Sequence, residues 1–324
     1  MSDSITRLSL TDLHRDPETF RQRLFEGLRE HGFVILRDHP ITRERLDQAY
    51  ALARDFFALP TASKLRYDSG SGGARGFTAF GRENARGNPH SDLKEFWHIG
   101  PDVAPDSPYF GVYTDNVWPD EIPAFRPCFQ ALYLDMEQLG KIMLDALGQA
   151  LKLDPDFFRD MVTDGQSVLR LLHYPEMEGL EAEGLEGLDT HKEGLDTHNA
   201  MRAAPHADIN LLTLLVGATD SGLELYDRRG NWLPVESEPD EIVLDTGDMM
   251  SRLTNDVLPA TVHRVVNSND RDESRYSMPF FLHPHARASL DCLPQCVDRS
   301  GPRYAPITAG EFLQQRLREI GLVY

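Results

Sequence analysis

The feature that most constrains the fold is a series of short β-rich runs in the second half of the chain. Gly, Pro, Asn and Asp separate these runs. They fall at residues 169–174, 209–216, 223–226, 241–244, 262–266 and 276–282. Short strands at such spacing are typical of a sandwich or barrel, including the double-sheet jelly roll. The sequence therefore predicts a β core in this half.

The first half carries helical periodicity instead. Residues 17–30 place Phe20, Leu24 and Leu28 at helical spacing directly after Asp16. Further helices are predicted from Thr42 to Phe57, and over residues 124–151 with Leu132, Leu139, Met143 and Leu147 on one face. Residues 33–36 predict a short strand, and the Gly- and Arg-rich residues 69–88 predict a loop.

These patterns predict an α+β, mainly β chain that forms one integrated domain. Its parts would be a helix-rich region at residues 1–165, a β core at residues 166–290 and a helical tail at residues 291–324. A helical half that leads into a barrel half is expected to pack as one continuous unit, because neither layer buries its apolar face alone.

Charge and composition exclude several classes of function. The net charge of −19 disfavours binding to nucleic acid or to anionic lipid, both of which need a basic face. No apolar run approaches the length of a membrane helix, and the first ten residues lack a secretory signal, so we expect a cytoplasmic protein. Cys128, Cys292 and Cys296 form an odd, sparse set and are expected to be reduced thiols.

Residues 178–198 look like an insertion into the β half. Glu-Gly-Leu occurs four times there, and Glu-Gly-Leu-Asp-Thr-His occurs twice, ending at His191 and His198. Two interpretations remain open: an exposed loop expanded by replication slippage, or a lid beside the site described next. The two histidines are not taken as metal ligands, because a loose loop fixes ligand geometry poorly.

A His-x-Asp pair supplies the first candidate metal ligands. Three such pairs occur, but only His206-Ala207-Asp208 leads directly into an apolar strand, predicted at residues 209–216. Side chains two apart on a strand share a face, so His206 and Asp208 would point together into the barrel. His14-Arg15-Asp16 precedes a helix that Asp16 would cap, and His90-Ser91-Asp92 lies in a polar stretch.

Two later strands supply the rest of the site. His263 stands in the run at residues 262–266 and offers a third ligand. Two histidines and one carboxylate leave coordination positions open on iron(II), as in non-haem oxygenases. Arg275 and Ser277 share one face of the next run, and a forked guanidinium beside a hydroxyl suits bidentate binding of a carboxylate.

Motifs along most of the chain resemble the isopenicillin N synthase-like group of iron(II)/2-oxoglutarate-dependent oxygenases. The matching segments are His31-Gly32-Phe33, Phe56-Phe57-Ala58-Leu59-Pro60, Arg75-Gly76-Phe77, Asp92-Leu93-Lys94-Glu95-Phe96, Asn116-Val117-Trp118-Pro119, Thr246-Gly247-Asp248, His263-Arg264-Val265 and Arg275-Tyr276-Ser277. The resemblance implies a double-stranded β-helix (a jelly roll) with flanking N-terminal helices. It also implies Fe(II), 2-oxoglutarate and O2 as cofactor and cosubstrates.

The resemblance also assigns roles to individual residues. His206, Asp208 and His263 would bind the metal, and Arg275 and Ser277 would bind 2-oxoglutarate. Tyr174 would contact the same cosubstrate, because Leu172-His173-Tyr174-Pro175 aligns with the family's Asn-Tyr-Tyr-Pro strand. Leu172 replaces the family's asparagine there. The implied reaction is hydroxylation, desaturation or ring closure of a small molecule, with succinate and CO2 as coproducts.

Other functions remain compatible with these residues. A 2-oxoglutarate-independent iron(II) oxidase of the same family could use the Arg-x-Ser pair on its substrate's own carboxylate. A non-catalytic metal-binding barrel and a zinc hydrolase are alternatives from other classes. Candidate residues for the substrate pocket are Phe77, Arg82, Arg86 and Tyr226, and the arginines indicate an anionic substrate. The sequence gives no oligomeric state.

Overall fold

Thirteen strands and eight α-helices make up the described part of the computed structural model, residues 4–70, 74–80, 94–175, 202–219, 221–266 and 274–319. The strands are β1 (Thr6–Ser9), β2 (Phe33–Arg37), β3 (Gly76–Thr78), β4 (Glu95–Ile99), β5 (Val168–Tyr174), β6 (Ala203–His206), β7 (Leu212–Val216), β8 (Leu223–Tyr226), β9 (Trp232–Pro234), β10 (Ile242–Thr246), β11 (His263–Val265), β12 (Arg275–Ser277) and β13 (Pro279–Leu282). The helices are α1 (Asp12–Arg15), α2 (Pro17–His31), α3 (Arg43–Phe57), α4 (Thr61–Lys64), α5 (Phe125–Ala150), α6 (Phe157–Val162), α7 (Asp248–Leu253) and α8 (Ala309–Glu319).

Two sheets face each other and enclose the interior of the molecule. The larger runs β1-β2-β10-β7-β13-β5-β4-β3, with β12 also paired to β5, and the smaller runs β6-β11-β8-β9. Pairing is antiparallel except between β1 and β2. Phe33 and Val243 of the large sheet pack with Leu225 and Val265 of the small one. Two packed antiparallel sheets form the predicted jelly-roll core.

The outer face of the large sheet packs against helices. The predicted stripe on α5 (Leu132, Leu139, Met143 and Leu147) is fully buried. Gly140 of α5 lies so close to the sheet that a Cβ there would stand 2.9 Å from Leu282 Cδ2. This close contact fixes which face of each strand remains for the interior, because strand side chains alternate.

The local signals for the helices are confirmed. Asp16 caps α2 by accepting a hydrogen bond from the Thr19 backbone N–H, and Thr42 caps α3 in the same way through Arg45. Gly32 ends α2 in the left-handed conformation, with φ of 69°. The chain then turns directly into β2, which therefore begins at Phe33.

The structure corrects three predictions about the strands. Residues 69–88 are not entirely a loop, because Gly76–Thr78 form β3 against β4. The run at residues 209–216 becomes a strand only at Leu212, so His206 and Asp208 do not lie on it. The run at residues 276–282 is two strands, one paired with β5 alone and one that also pairs with β7.

Beyond the β core, residues 291–319 contain one 3-10 turn at Pro294–Cys296 and the helix α8. The three cysteines form no disulfide. Among the residues described, no helix combines the length and apolar character needed to span a bilayer. The insertion at residues 178–198 lies outside the described residues.

Candidate active site

Three side chains that can bind a metal meet where β6 and β11 pair. The register of these strands sets His206 opposite His263. Asp208 follows β6 in the connection to β7, and its Oδ1 lies 3.8 Å from Nε2 of each histidine. The three ligand atoms all lie within 4.8 Å of one another. They surround a point that a single ion could occupy.

Backbone contacts aim both imidazoles at that point. His206 Nδ1 lies 2.7 Å from the Ala204 carbonyl oxygen, and His263 Nδ1 lies 3.2 Å from that of Thr261. Because a carbonyl only accepts, each Nδ1 carries the proton and each Nε2 presents a lone pair to the centre. Phe33 of β2 stands edge-on to the His263 ring, with centroids 5.5 Å apart.

The protonation state of His206 suits metal binding. Desolvation by the surrounding protein and the nearby His263 lower the pKa of His206 below its ordinary value. The His206 ring is therefore neutral near pH 7, which is the form that donates to a metal.

The loop that carries Asp208 is held at both its side chain and its backbone. The Thr213 hydroxyl donates to Asp208 Oδ2, and Asn210 Nδ2 donates to the Thr213 oxygen at 3.1 Å. The backbone N–H of Asp248, at the start of α7, donates to the Asp208 carbonyl at 2.7 Å. A Cβ at Gly247 would lie 2.3 Å from the Asn210 carbonyl oxygen, so only glycine permits this approach. Oδ1 is left to face the histidines.

We expect Thr213→Val to lower iron(II) affinity by about 10- to 100-fold, because outer hydrogen bonds orient ligating carboxylates. Valine keeps the shape and β propensity of threonine and removes only the hydroxyl. Equilibrium dialysis against iron(II) under anaerobic conditions measures the change. Thr219→Val serves as the control, since Thr219 bonds β12 and not Asp208. Unchanged iron affinity in Thr213→Val would remove Thr213 from this role.

A second acidic residue lies beside Thr213, and the sequence analysis did not predict it as part of the site. Asp245 of β10 is 4% exposed and stands directly opposite Thr213 in the register. Burial, and next the charge of Asp208, raise the pKa of the Asp245 carboxyl well above its ordinary value, which favours the neutral form beside Asp208. The sequence feature that could have indicated Asp245 is a polar residue inside an otherwise apolar strand. Thr213 has the same feature in its own strand.

The Arg-x-Ser pair is buried on the inner face of the large sheet. Arg275 is 2% exposed and its Nη1 lies 3.4 Å from Ser277 Oγ. β12 sets Arg275 opposite Tyr174 and Ser277 opposite Leu172. The Arg275 guanidinium carbon lies 5.3 Å from the centroid of the Tyr174 ring. Arginine, serine and tyrosine thus form one group, with Leu172 as its apolar neighbour.

This group and the metal ligands face the same interior. Side chains alternate along β12 and β13, so Arg275 and Ser277 share a face with Phe281. Phe281 is paired in register with Thr213, which bonds Asp208. Phe280, on the opposite face, instead packs on Tyr133 of α5 with ring centroids 5.1 Å apart. One molecule inside the barrel could therefore contact both groups.

Further inward-facing residues were not found from the sequence. Phe96 pairs with Leu172, and His98 pairs with Arg170, on adjacent strands β4 and β5. The Arg170 guanidinium carbon lies 4.5 Å from the Phe96 ring centroid and 5.4 Å from that of Phe281. An arginine among aromatic rings therefore lines the inner face of the large sheet. A charged residue at position 170 inside an apolar run was the sequence feature that could have indicated this arginine.

The two described residues that were predicted for a substrate pocket, Phe77 and Tyr226, do not line this interior. Phe77 is 1% exposed and packs among aromatic rings on the helix-facing side of the large sheet. Tyr226 is 44% exposed and contacts Trp232 on the outside of the small sheet. Arg82 and Arg86 lie outside the described residues, as do His191, His198 and the His90-Ser91-Asp92 segment.

The donor set fits iron(II). Two imidazole nitrogens and one carboxylate oxygen are the facial set that holds non-haem iron and leaves positions for other molecules. Within the described ranges this is the group of side chains arranged to hold a metal, and none of its members is a cysteine.

Comparison with known proteins finds a family model that matches each half of the chain. Residues 5–121 match the family model for the N-terminal region of non-haem dioxygenases in morphine synthesis, and residues 166–284 match that of the 2OG-Fe(II) oxygenase superfamily. The 2-oxoglutarate-Fe(II) type oxidoreductase ppzD of Metarhizium rileyi is 30% identical over 94% of this chain and 87% of its own length.

Solved structures agree with these matches. A 2OG-Fe(II) oxygenase family protein from Caulobacter crescentus is 44% identical, with a TM-score of 0.85 over 98% of this chain and 100% of that one. A full-length Neurospora crassa protein, solved in complex with alpha-KG and thymine, is 25% identical, with a TM-score of 0.79 over 97% of this chain and 96% of that one.

Proposed function

Because this chain belongs to the 2OG-Fe(II) oxygenase superfamily, we propose that His206, Asp208 and His263 bind iron(II) and that Arg275 and Ser277 bind 2-oxoglutarate. The protein is an iron(II)- and 2-oxoglutarate-dependent dioxygenase that uses O2. The residue assignment rests on the interior that the two groups share. The buried Arg275 and Ser277 lie on the face of the large sheet that carries Thr213, and Thr213 donates to Asp208.

Each residue of the site has a physical task in this proposal. His206 and His263 offer Nε2 and Asp208 offers Oδ1 to one face of the ion. Arg275 offers its forked donors to the distal carboxylate of 2-oxoglutarate, and charge-assisted bonds of this kind are strong because the site is dry. When bound, iron, 2-oxoglutarate and O2 would supply the oxidising chemistry: one oxygen atom of O2 enters succinate as 2-oxoglutarate loses CO2, and the other is reduced as the substrate is oxidised.

The apolar surroundings of the site exclude water. Leu172 pairs with Ser277, Phe96 pairs with Leu172 on the next strand, and these two apolar residues form a separate small cluster with Tyr174. Leu172 donates no hydrogen bond, so recognition of 2-oxoglutarate falls on Arg275, Ser277 and Tyr174. Exclusion of water strengthens the interaction of the guanidinium with a carboxylate.

The primary substrate is proposed to be a small organic molecule. The Neurospora crassa relative was solved with thymine, and it is similar to this chain over nearly its whole length. The cationic Arg170 and the rings of Phe96 and Phe281 suit a planar or acidic group. The lack of nucleic-acid or membrane partners is part of this proposal and rests on the net charge of −19. A cytoplasmic location stays a prediction from the sequence.

The test is anaerobic loading with iron(II) followed by titration with 2-oxoglutarate, and then assay of succinate after O2 is admitted. We expect one iron-dependent 2-oxoglutarate site and succinate formation that rises when a small-molecule substrate is supplied. Iron binding without 2-oxoglutarate binding would favour the 2-oxoglutarate-independent oxidase. Binding of both without succinate under any condition would favour a non-catalytic barrel, and failure to bind iron would refute the ligand assignment.

A further inference from the structure

We propose that His173 is a positioning residue for 2-oxoglutarate binding. It acts on Arg275 from the opposite face of the large sheet and does not contact the bound molecule. This inference rests on the proposed role of Arg275 in the cosubstrate site. It concerns a histidine of β5 that stands between Leu172 and Tyr174.

His173 contacts both residues that flank Arg275. Its Nε2 lies 3.3 Å from the Ser274 hydroxyl oxygen. Its ring stacks on Tyr276, with centroids 4.7 Å apart and planes within 13°. Because side chains alternate, Ser274 and Tyr276 point to the helix-facing side when Arg275 points to the interior. Holding these two neighbours fixes the rotation of β12 about its own axis, and with it the direction of the guanidinium.

A buried ion pair holds His173 itself. Its Nδ1 lies 2.8 Å from Glu95 Oε1, and Lys64 Nζ lies 2.8 and 2.7 Å from the two carboxylate oxygens of Glu95. All three residues are at most 9% exposed. Lys64 also donates to the Phe57 carbonyl at 3.0 Å, which connects the group to the end of α3. The group is therefore anchored to a helix outside the sheet.

The chemistry of Glu95 assigns the tautomer of His173. A carboxylate paired with lysine only accepts, so Nδ1 carries a proton and donates to Glu95. In the neutral ring Nε2 then accepts from the Ser274 hydroxyl. The direction of donation thus runs from Ser274 through His173 to Glu95, with Lys64 as the compensating charge.

β12 needs such support because it has only three residues. On one edge it pairs with β5, and on the other the Tyr276 backbone bonds Thr219, with its N–H 2.9 Å from the Thr219 hydroxyl. These bonds fix the strand's position within the sheet. His173 adds a constraint perpendicular to the sheet, where a small rotation of β12 would carry the guanidinium away from a carboxylate. A displacement of about 1 Å at a binding group can cost about 100-fold.

The test compares His173→Phe with the wild-type protein. Phenylalanine keeps a ring against Tyr276 and removes both hydrogen bonds, while Glu95 keeps its pair with Lys64. We expect the Kd for 2-oxoglutarate, measured by anaerobic calorimetry on the iron-loaded protein, to rise about tenfold with unchanged iron affinity. In turnover, KM for 2-oxoglutarate should rise by the same factor, and kcat at saturating 2-oxoglutarate should change less than about twofold.

Two further variants separate positioning from general stability. Ser274→Ala removes one hydroxyl from a half-buried site and should weaken 2-oxoglutarate about threefold without affecting folding. Leu144→Ala in α5 destabilises the core far from β12 and should leave the Kd unchanged, even where its loss of stability equals that of His173→Phe.

The proposal is overturned if His173→Phe and Ser274→Ala both bind 2-oxoglutarate as tightly as the wild type. It is also overturned if iron affinity falls in parallel with 2-oxoglutarate affinity, because that pattern would indicate a general loss of structure. Should the iron-loaded wild type itself bind no 2-oxoglutarate, the proposed function would fail instead, so the two failures are distinguishable.

Discussion

Asp208→Ala is expected to abolish iron retention. The carboxylate supplies the only anionic ligand of the three, and its Oδ1 stands between the two imidazoles at 3.8 Å from each. Two neutral nitrogens alone leave the cation without charge compensation, so we expect iron(II) affinity to fall by more than about 100-fold. Iron content after desalting and succinate formation measure the loss, and both should reach background.

The control for this variant is Asp55→Ala, which removes an exposed carboxylate from α3. It changes the net charge equally and should keep full iron content. Circular dichroism should show that Asp208→Ala remains folded, since Asp208 lies in a connection outside the strands. Stoichiometric iron and normal turnover in Asp208→Ala would mean that other residues hold the metal.

Arg275→Gln is expected to separate cosubstrate binding from metal binding. Loss of the guanidinium leaves a buried carboxylate of 2-oxoglutarate without its charged partner, which costs about 100-fold or more in affinity. Iron affinity should stay within about twofold, because Arg275 lies on a different sheet from the two histidines. Anaerobic calorimetry with iron and then with 2-oxoglutarate measures the two affinities in turn.

Related variants sharpen this prediction. Arg275→Lys keeps the charge but offers no planar fork, so it should recover only part of the affinity. Ser277→Ala removes one hydroxyl and should cost about fivefold. Arg45→Gln breaks an exposed pair with Asp135 and should bind 2-oxoglutarate normally. Normal 2-oxoglutarate binding by Arg275→Gln would assign the Arg-x-Ser pair to another molecule, such as the primary substrate.

The sequence predicted what depends on neighbours along the chain. Three predicted features depend only on nearby residues, and the structure confirms them. They are the helix caps at Asp16 and Thr42, the buried stripe on α5, and the shared face of Arg275 and Ser277. The prediction that His206 and Asp208 share a face of one strand is wrong. His206 ends one strand, and Asp208 belongs to the connection that follows it.

What could not be predicted depends on the pairing of distant strands. Thr213 and Asp245 lie opposite each other only because β7 and β10 adopt one register, and a shift of β10 by one residue would turn Asp245 to the other face of the sheet. Phe77 was predicted to line a substrate pocket, and residues 69–88 around it were predicted to be a loop. Its pairing with Trp97 in β3 and β4 turns it to the helices instead.

The edge-on contact of Phe33 with His263 has a consequence for engineering. Phe33 belongs to β2, and β2 joins the large sheet beside β10, so one wall of the metal centre comes from the first half of the chain. The family matches end at residue 121 and resume at residue 166, which invites recombination of the two halves between relatives. A chimaera joined there would place a foreign β2 against His263, a proposed iron ligand. Phe33 would therefore have to be kept together with the second half of the chain from which His263 comes.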